Sequence, residues 1–265
     1  MTDFRVNEEQ AMSFLSSIGA QDVECSPSGL QDLIRSSLST VPFTNIMMLA
    51  RPRKSPTKEE IIGDMLSLRG GPCGHYNPFM NEILRHCGFD SSLIPGWMRG
   101  QLSHMAIIVK IDGEDWWADF GNGHPYLTPI RLGSERIISH AGLEYRIMNR
   151  SDGVHSLEHR KNGEEDFIEN YNFTTERVPF SFFEEMVSLH YTNPGFGPFL
   201  EGIRFIRFPD GEMIAIRDET VLITSQGKIT KNRIAENGGI EKIIEAHFNQ
   251  AKYPLRDGLE ALGWC

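Results

Sequence analysis

Apolar residues recur at helical spacing through the first third of the chain. Ala11, Phe14, Leu15 and Ile18 share one face of a predicted helix, which Asn7 and Gln10 open as a capping box and Gly19 ends. Leu30, Leu33, Ile34 and Leu38 give a second helix starting near Ser28. Thr57 and Glu60 form another capping box ahead of Ile61, Ile62, Met65 and Leu66. The stretch Arg51–Lys58, with two prolines and four basic residues, reads as a loop. Tyr76, Phe79, Met80, Ile83, Leu84 and Cys87 then repeat at helical spacing up to Gly88, which puts Cys73 at or just before a helix N-terminus. Pro78 conflicts with that pattern, because a proline inside a helix costs about 3 kcal/mol. Either the regular helix begins near Asn77 or its first turn is distorted below Cys73.

The period changes after residue 90. Met105–Ile111 is a β-branched apolar run, Asp112-Gly113 is a hairpin signal, and Trp116, Trp117 and Phe120 form the returning strand. Further strands are predicted near Tyr145–Met148, Ile203–Phe208, Met213–Arg217 and Val221–Thr224, and a terminal helix over Ile240–Ala251. The chain divides into a helical part (1–88), a β-rich part (89–195) and a mixed part (196–265), an α+β organisation.

The 265 residues are 40% apolar and 23% charged, enough for a sizeable core and unlike a disordered chain. The net charge of −10 argues against nucleic acid as a partner. No apolar run approaches the roughly 18 residues of a membrane helix, and the polar start Met1–Glu9 lacks a secretory signal's apolar segment, so a cytoplasmic setting is expected. Cys25, Cys73, Cys87 and Cys265 are scattered without a Cys-x-x-Cys pair, which disfavours structural zinc, any metal site built on them, and a disulfide framework. Cys25, Cys87 and Cys265 read as small buried apolar residues.

The hairpin brings candidate chemistry together. With Asp112-Gly113 as a two-residue loop, Ile111 opposes Glu114, Ala106 opposes Asp119 and His104 opposes Gly121. His104 and Asp119 then lie diagonally on one face, close enough for a carboxylate to hold one imidazole nitrogen and turn the other toward a nucleophile. Cys73 suits that part: a helix N-terminus and a nearby imidazolium both favour a thiolate, and Gly70 and Gly71 let the backbone turn tightly beside it. The register does not say whether Cys73 comes near the pair.

Arg69-Gly70-Gly71-Pro72-Cys73 with Asn77 resembles the Arg-Gly-Gly-x-Cys-x-x-x-Asn segment of the arylamine N-acetyltransferases. His104-Met105 resembles that family's histidine segment. Trp117-Ala118-Asp119-Phe120-Gly121-Asn122-Gly123 is similar to its Val-Asp-Val-Gly-Phe-Gly, and Pro42-Phe43-Thr44-Asn45 to its Pro-Phe-Glu-Asn. Thr192-Asn193-Pro194 with Phe199 is weakly similar to a turn after the barrel. The resemblance implies an α+β fold: an N-terminal helical bundle and a central antiparallel β-barrel forming a cysteine-protease-like catalytic core, followed by a C-terminal α/β lid. It implies a ping-pong reaction in which Cys73 takes an acyl group from acetyl-coenzyme A and passes it to an arylamine, hydrazine or N-hydroxyarylamine. His104 is then the acid and base and Asp119 its orienter, with Gly121 and Gly123 letting the donor's pantetheine approach the backbone. No metal and no membrane partner is implied.

The chain departs from the family pattern in several places. His75 stands where a Glu is usual two residues after the cysteine, and Thr44 replaces the Glu of Pro-Phe-Glu-Asn, so Arg69 is expected to lose its usual acidic partner. Asn122 replaces an aromatic between the glycines, and the interval from Cys73 to His104 is shortened. His75 reads either as a second acid/base lining the pocket or as a packing replacement. Arg51, Arg53, Lys54 and Lys58 read either as a site for donor phosphates or an acyl carrier protein, or as a solvated loop. These changes keep open an amide-forming biosynthetic enzyme fed by a carrier-protein or other acyl thioester. Hydrolysis and a non-enzymatic binding or redox role are further alternatives.

Overall fold

The structure, a computed structural model, describes residues 4–51, 53–249 and 252–264. Cys265, Pro52 of the basic loop, the first three residues of the polar N-terminus and the Gln250–Ala251 end of the expected terminal helix lie outside the described residues.

The N-terminal helices form where their caps predict. α1 (Glu8–Ser17) opens with the Asn7–Gln10 capping box and buries Ala11, Phe14 and Leu15. α2 (Pro27–Thr40) starts from Ser26, whose side chain accepts from Gly29 N–H. A short strand β1 (Phe43–Thr44) and helix α3 (Ile46–Ala50) precede α4 (Lys58–Leu66), which carries the Thr57–Glu60 capping box. α5 spans Cys73–His86 and starts at Cys73 itself, with Pro72 as its cap and Pro78 inside it. Of the two options the proline left open, a late start at Asn77 is not taken. Burial of all residues from Cys73 to Leu84 offsets the lost hydrogen bond.

Eight strands follow in one antiparallel sheet: β2 (Asp90–Met98), β3 (Gln101–Ile111), β4 (Glu114–Ala118), β5 (Ile130–Arg131), β6 (Ile138–His140), β7 (Leu143–Asn149), β8 (His155–Lys161) and β9 (Ile168–Phe173). Their spatial order is β5-β4-β3-β2-β9-β8-β7-β6. β5 and β6 are the edges, so the expected barrel is a curled sheet that backbone pairing does not close. Side chains bridge its ends instead. Thr128, beside β5, exchanges hydrogen bonds with the Tyr145 hydroxyl (2.9 and 3.0 Å) and meets His140 Nε2 at 2.9 Å.

The β3–β4 hairpin has the predicted register, Ile111 opposite Glu114 through Ile107 opposite Ala118, and Asp112 and Gly113 both have positive φ, as a type I′ turn requires. β3 is buried on both faces. Met105, Ile107, Val109 and Ile111 join the helical core, while Ala106 and Ile108 join a second cluster with Trp117, Tyr145, Tyr171 and Phe173. His104 and Asp119 fall on the second of these faces by the period of two.

After α6 (Glu184–Thr192), strands β10 (Arg204–Arg207), β11 (Ile214–Arg217), β12 (Thr220–Ser225) and β13 (Lys228–Arg233) extend β1 into a five-stranded antiparallel sheet, Phe43 pairing with Ile206. α7 (Ile240–Phe248) and α8 (Leu255–Ala261) cover it, and α3 contributes Ile46 and Met47 to their core. Asn45 fastens this junction: its amide donates to the Phe199 and Gly202 carbonyls (both 2.6 Å) and its oxygen accepts from Arg204 N–H (2.7 Å). The stretch Pro42-Phe43-Thr44-Asn45 therefore stitches the 196–265 segment to the helical segment.

Candidate active site

Cys73 is the first residue of α5 and only 3% exposed. The amides of His75 and Tyr76 both reach the Pro72 carbonyl (2.9 and 3.0 Å), whereas those of Cys73 and Gly74, at the first two helical positions, have no intrahelical acceptor. The sulfur thus sits where the helix end favours negative charge. Gly121 lets it come close to the hairpin: a Cβ there would lie 2.6 Å from Cys73 Cα and 3.2 Å from its Cβ.

His104 lies in β3 opposite Gly96, where any Cβ would crowd the imidazole and the Tyr171 ring. Its Nε2 donates to Asp119 Oδ2 at 2.7 Å. That bond leaves Nδ1 as the ring nitrogen available to Cys73, whose proximity favours the imidazolium. Burial disfavours the imidazolium, but the Asp119 charge and hydrogen bond, reinforced by Cys73, outweigh it and push His104 up to about 10.

Asp119 is almost fully buried and accepts four hydrogen bonds. Oδ2 takes His104 and the Tyr171 hydroxyl (2.9 Å), and Oδ1 takes the Asn77 amide and Gly121 N–H (both 3.0 Å). The network extends outward. Trp117 Nε1 donates to the Tyr171 oxygen (2.9 Å), and Asn77 also donates to the Met105 carbonyl (2.7 Å) and accepts from Phe120 N–H (3.0 Å). Asn77 thereby clamps α5 to both strands of the hairpin. Tyr171 is the participant that sequence reasoning missed; its signal was the inward alternation of Tyr171 and Phe173 in β9.

Arg69 finds a different acidic partner. Asp64, from α4, stands 3.7 Å from its guanidinium, binds Arg51 at 2.6 and 2.8 Å, and lies 3.5 Å from His75 Nε2. Burial alone would raise the Asp64 carboxyl, but the bonds from His75 and Arg51 hold it below its ordinary value. His75 is wholly buried, against Asp64 and the Tyr191 hydroxyl (3.3 Å). Arg51 is thus committed inward, and Lys58 lies over the Phe180 ring, while Arg53 and Lys54 remain exposed. Thr44 is buried and accepts from Ile46 N–H (3.2 Å).

The two glycines make room for the protein's own atoms. Gly121 admits Cys73, and Gly123, with φ +78°, would place a Cβ 3.1 Å from the Phe43 ring. Asn122 donates to Asn170 Oδ1 (3.0 Å) and accepts from His124 Nδ1 (2.7 Å), so its polar side chain orients a histidine. Among the described residues no helix is long and apolar enough to cross a membrane.

A sulfur at a helix N-terminus near an imidazole that a buried carboxylate orients can form and break a thioester. The comparisons agree in kind. The family model described as N-acetyltransferase matches residues 28–251. The arylamine N-acetyltransferase of Escherichia coli (strain K12) is 33% identical over 129 residues, 43% of this chain and 43% of that protein. Proansamycin X synthase of Amycolatopsis mediterranei (strain S699) is 23% identical over 169 residues, 59% of this chain and 64% of that protein. The matched stretches thus span less than two thirds of either relative. The solved arylamine N-acetyltransferase from Salmonella typhimurium superposes with a TM-score of 0.83 over 97% of this chain and 99% of that one, at 18% identity, a likeness of fold. On the match over residues 28–251, this chain belongs to the N-acetyltransferase family, the family of the arylamine N-acetyltransferases.

Proposed function

We propose that the protein is a ping-pong acyltransferase that moves an acetyl or other short acyl group from coenzyme A, through a thioester on Cys73, to an arylamine, hydrazine or N-hydroxyarylamine. The observation that carries this reading is the convergence of three distant stretches: Gly121, packed against Cys73, donates to the Asp119 carboxylate that holds His104 at 2.7 Å. In the first half-reaction the Cys73 thiolate attacks the thioester carbonyl, and the coenzyme's thiolate leaves with the proton of His104. In the second the amine attacks the acyl carbon, His104 takes a proton from the nitrogen, and Cys73 leaves as thiolate beside the imidazolium. The amides of Cys73 and Gly74 are the donors we assign to the oxyanion. Asp119 holds the tautomer throughout.

In this reading residues 1–88 supply the nucleophile and 89–195 the His and Asp, together a cysteine-protease-like core, and 196–265 form the lid. A reducing cytoplasm keeps the thiol available. Incubation with acetyl-coenzyme A should add one acetyl group to the intact mass, absent in Cys73→Ala and discharged by an arylamine. A wild-type protein that never acquires the adduct would sink the proposal.

A second reading is favoured by the similarity to proansamycin X synthase and by the polar Asn122. It keeps the thioester on Cys73 but makes the enzyme an amide synthase fed by a carrier protein or another acyl thioester. Running the mass assay over a panel of acyl thioesters separates the two: the second reading expects longer acyl groups to load faster than acetyl.

A further inference from the structure

A cavity of about 430 Å³ opens where β10 ends beside the last turn of α7, lined by Arg207, His247, Phe248, Lys252 and Tyr253. Side chains alternate along β10. Phe205 packs on Phe248 and Tyr253 in the core under α7 and α8, with ring centroids 5.3 and 5.0 Å apart. Ile206 turns the other way, into the helical core, where its side chain borders Gly123. Arg207 follows Phe205, and its guanidinium lies over the Phe248 ring, 5.8 Å from the centroid. The cavity is therefore on the opposite face of the five-stranded sheet from Gly123 and the Asp119 segment that precedes it.

Arg207 brings an unanswered charge to this space. Its Nε is buried without an acceptor, and the guanidinium makes no ion pair among the described residues. Glu245 also lines the cavity, but it is exposed and pairs with no cation among the described residues. The neighbours register the charge. Burial lowers His247 and Arg207 lowers it further, while at Tyr253 burial raises the hydroxyl against the pull of Arg207 and Arg69. The end of α7 itself favours a cation here, yet Arg207 donates to none of its carbonyls among the described residues. A guanidinium fork, an ammonium and a phenol thus border one cavity. A carboxylate's two oxygens would occupy the fork alone, whereas a phosphoryl group has oxygens for all three.

We propose that this cavity is a binding site for a phosphoryl oxyanion, as free phosphate or a small phosphate monoester, separate from the acyl-transfer site. The Arg207 fork donates to two of its oxygens, and Lys252 and the Tyr253 hydroxyl donate to the others. The inference does not depend on the acyl-transfer reading, because it concerns binding on the far face of the sheet.

The test is anion binding by the whole protein at fixed ionic strength, with acetate as the control. Inorganic phosphate should raise the urea midpoint saturably, since a ligand of the folded state stabilises it by linkage. Acetate should raise it less, and an equal rise would overturn the choice of a phosphoryl group. Phosphate also stabilises proteins without binding them, so the comparison with Arg207→Gln decides. That variant should bind phosphate at least about tenfold more weakly, the loss expected for charge-assisted bonds, and Arg207→Lys should fall between. The same response in Arg207→Gln as in the wild-type protein overturns the proposal. Should the variants fail to fold, NMR of labelled histidines in the wild-type protein still decides. The His247 signals should shift saturably with phosphate, while those of His86, bonded to the Val6 carbonyl at 2.8 Å, stay in place. No shift, or equal shifts, would refute the site. Phenyl phosphate binding more tightly than inorganic phosphate would identify a monoester as the ligand, and equal affinity the free ion. A rise in KM for acetyl-coenzyme A, but not for acetyl-N-acetylcysteamine, in Arg207→Gln would give the cavity to the donor and overturn its separation from the acyl-transfer site.

Discussion

Two buried carboxylates flank α5, each beside a histidine, and they are used differently. Asp119 meets one cationic partner, His104 at 2.7 Å, and its other three donors are neutral. Asp64 meets Arg51 in a two-bond fork, stands within 3.7 Å of Arg69, and has His75 only at 3.5 Å. The electrostatic consequence follows from that count. The Asp119 charge meets a single imidazole and raises it, whereas the Asp64 charge, shared with two guanidiniums as well as a histidine, ties loops and helices together. The same residue types therefore make, in the proposed mechanism, a proton-handling device on one side of the helix and a brace on the other.

Removing each carboxylate should separate these roles, and the largest effect belongs to Asp119. Asp119→Asn keeps the volume but withdraws the charge and the tautomer control. We expect the rate of Cys73 acetylation to fall by about 10³-fold or more. Without Asp119, burial prevails and the His104 ring should titrate well below 10, readable by NMR of the labelled imidazole. An unchanged acetylation rate in a folded variant would remove Asp119 from the mechanism.

The hairpin half of this device was legible in the sequence. Asp112-Gly113 sets the register, and the register puts His104 and Asp119 on one face. The cap signals at Asn7 and Thr57 likewise fixed where α1 and α4 begin. Other elements were not visible. β2 contains Ser91, Ser92, Pro95 and Gly96, a stretch that reads as loop, yet pairing with β3 along its length overrides local preference. β8 and β13 are rich in charge and lack an apolar alternation, and α8 is a short helix with Gly258 packed on Ile46. The Asp64 brace escaped for a different reason. Its members, Arg51, Asp64, Arg69 and His75, lie in four segments whose mutual approach no local period encodes. The family pattern, which puts the acid two residues after the cysteine, pointed to the wrong place for it.

Asp64→Asn should give the complementary result, smaller in rate and clearer in stability. Deleting one member of a buried, multiply bonded pair leaves Arg51 without its carboxylate and costs about 3–5 kcal/mol, measurable as a lower denaturation midpoint in urea. Acetylation of Cys73 per folded molecule should fall less than tenfold, because neither Cys73 nor His104 bonds to Asp64. A loss of rate rivalling that of Asp119→Asn, without loss of stability, would mean that the brace also shapes the chemistry.

The smallest expected effect is on the pH dependence of stability, where the two carboxylates should govern opposite limbs. His104 is raised in the folded state from 6.5 to about 10, so its contribution is complete below about 6.5 and fades as the pH climbs through 10. Asp64 is lowered from 3.8, so its contribution is complete above that value and fades as the pH drops toward the depressed one. Urea midpoints followed across pH should therefore decline at both ends in the wild-type protein. Asp119→Asn should flatten mainly the alkaline decline, since it removes what raises His104, and Asp64→Asn mainly the acid one. If Asp119→Asn left the alkaline slope intact, the imidazolium would owe its stability to something other than this carboxylate, and the contrast between the two sides of α5 would lose its physical basis.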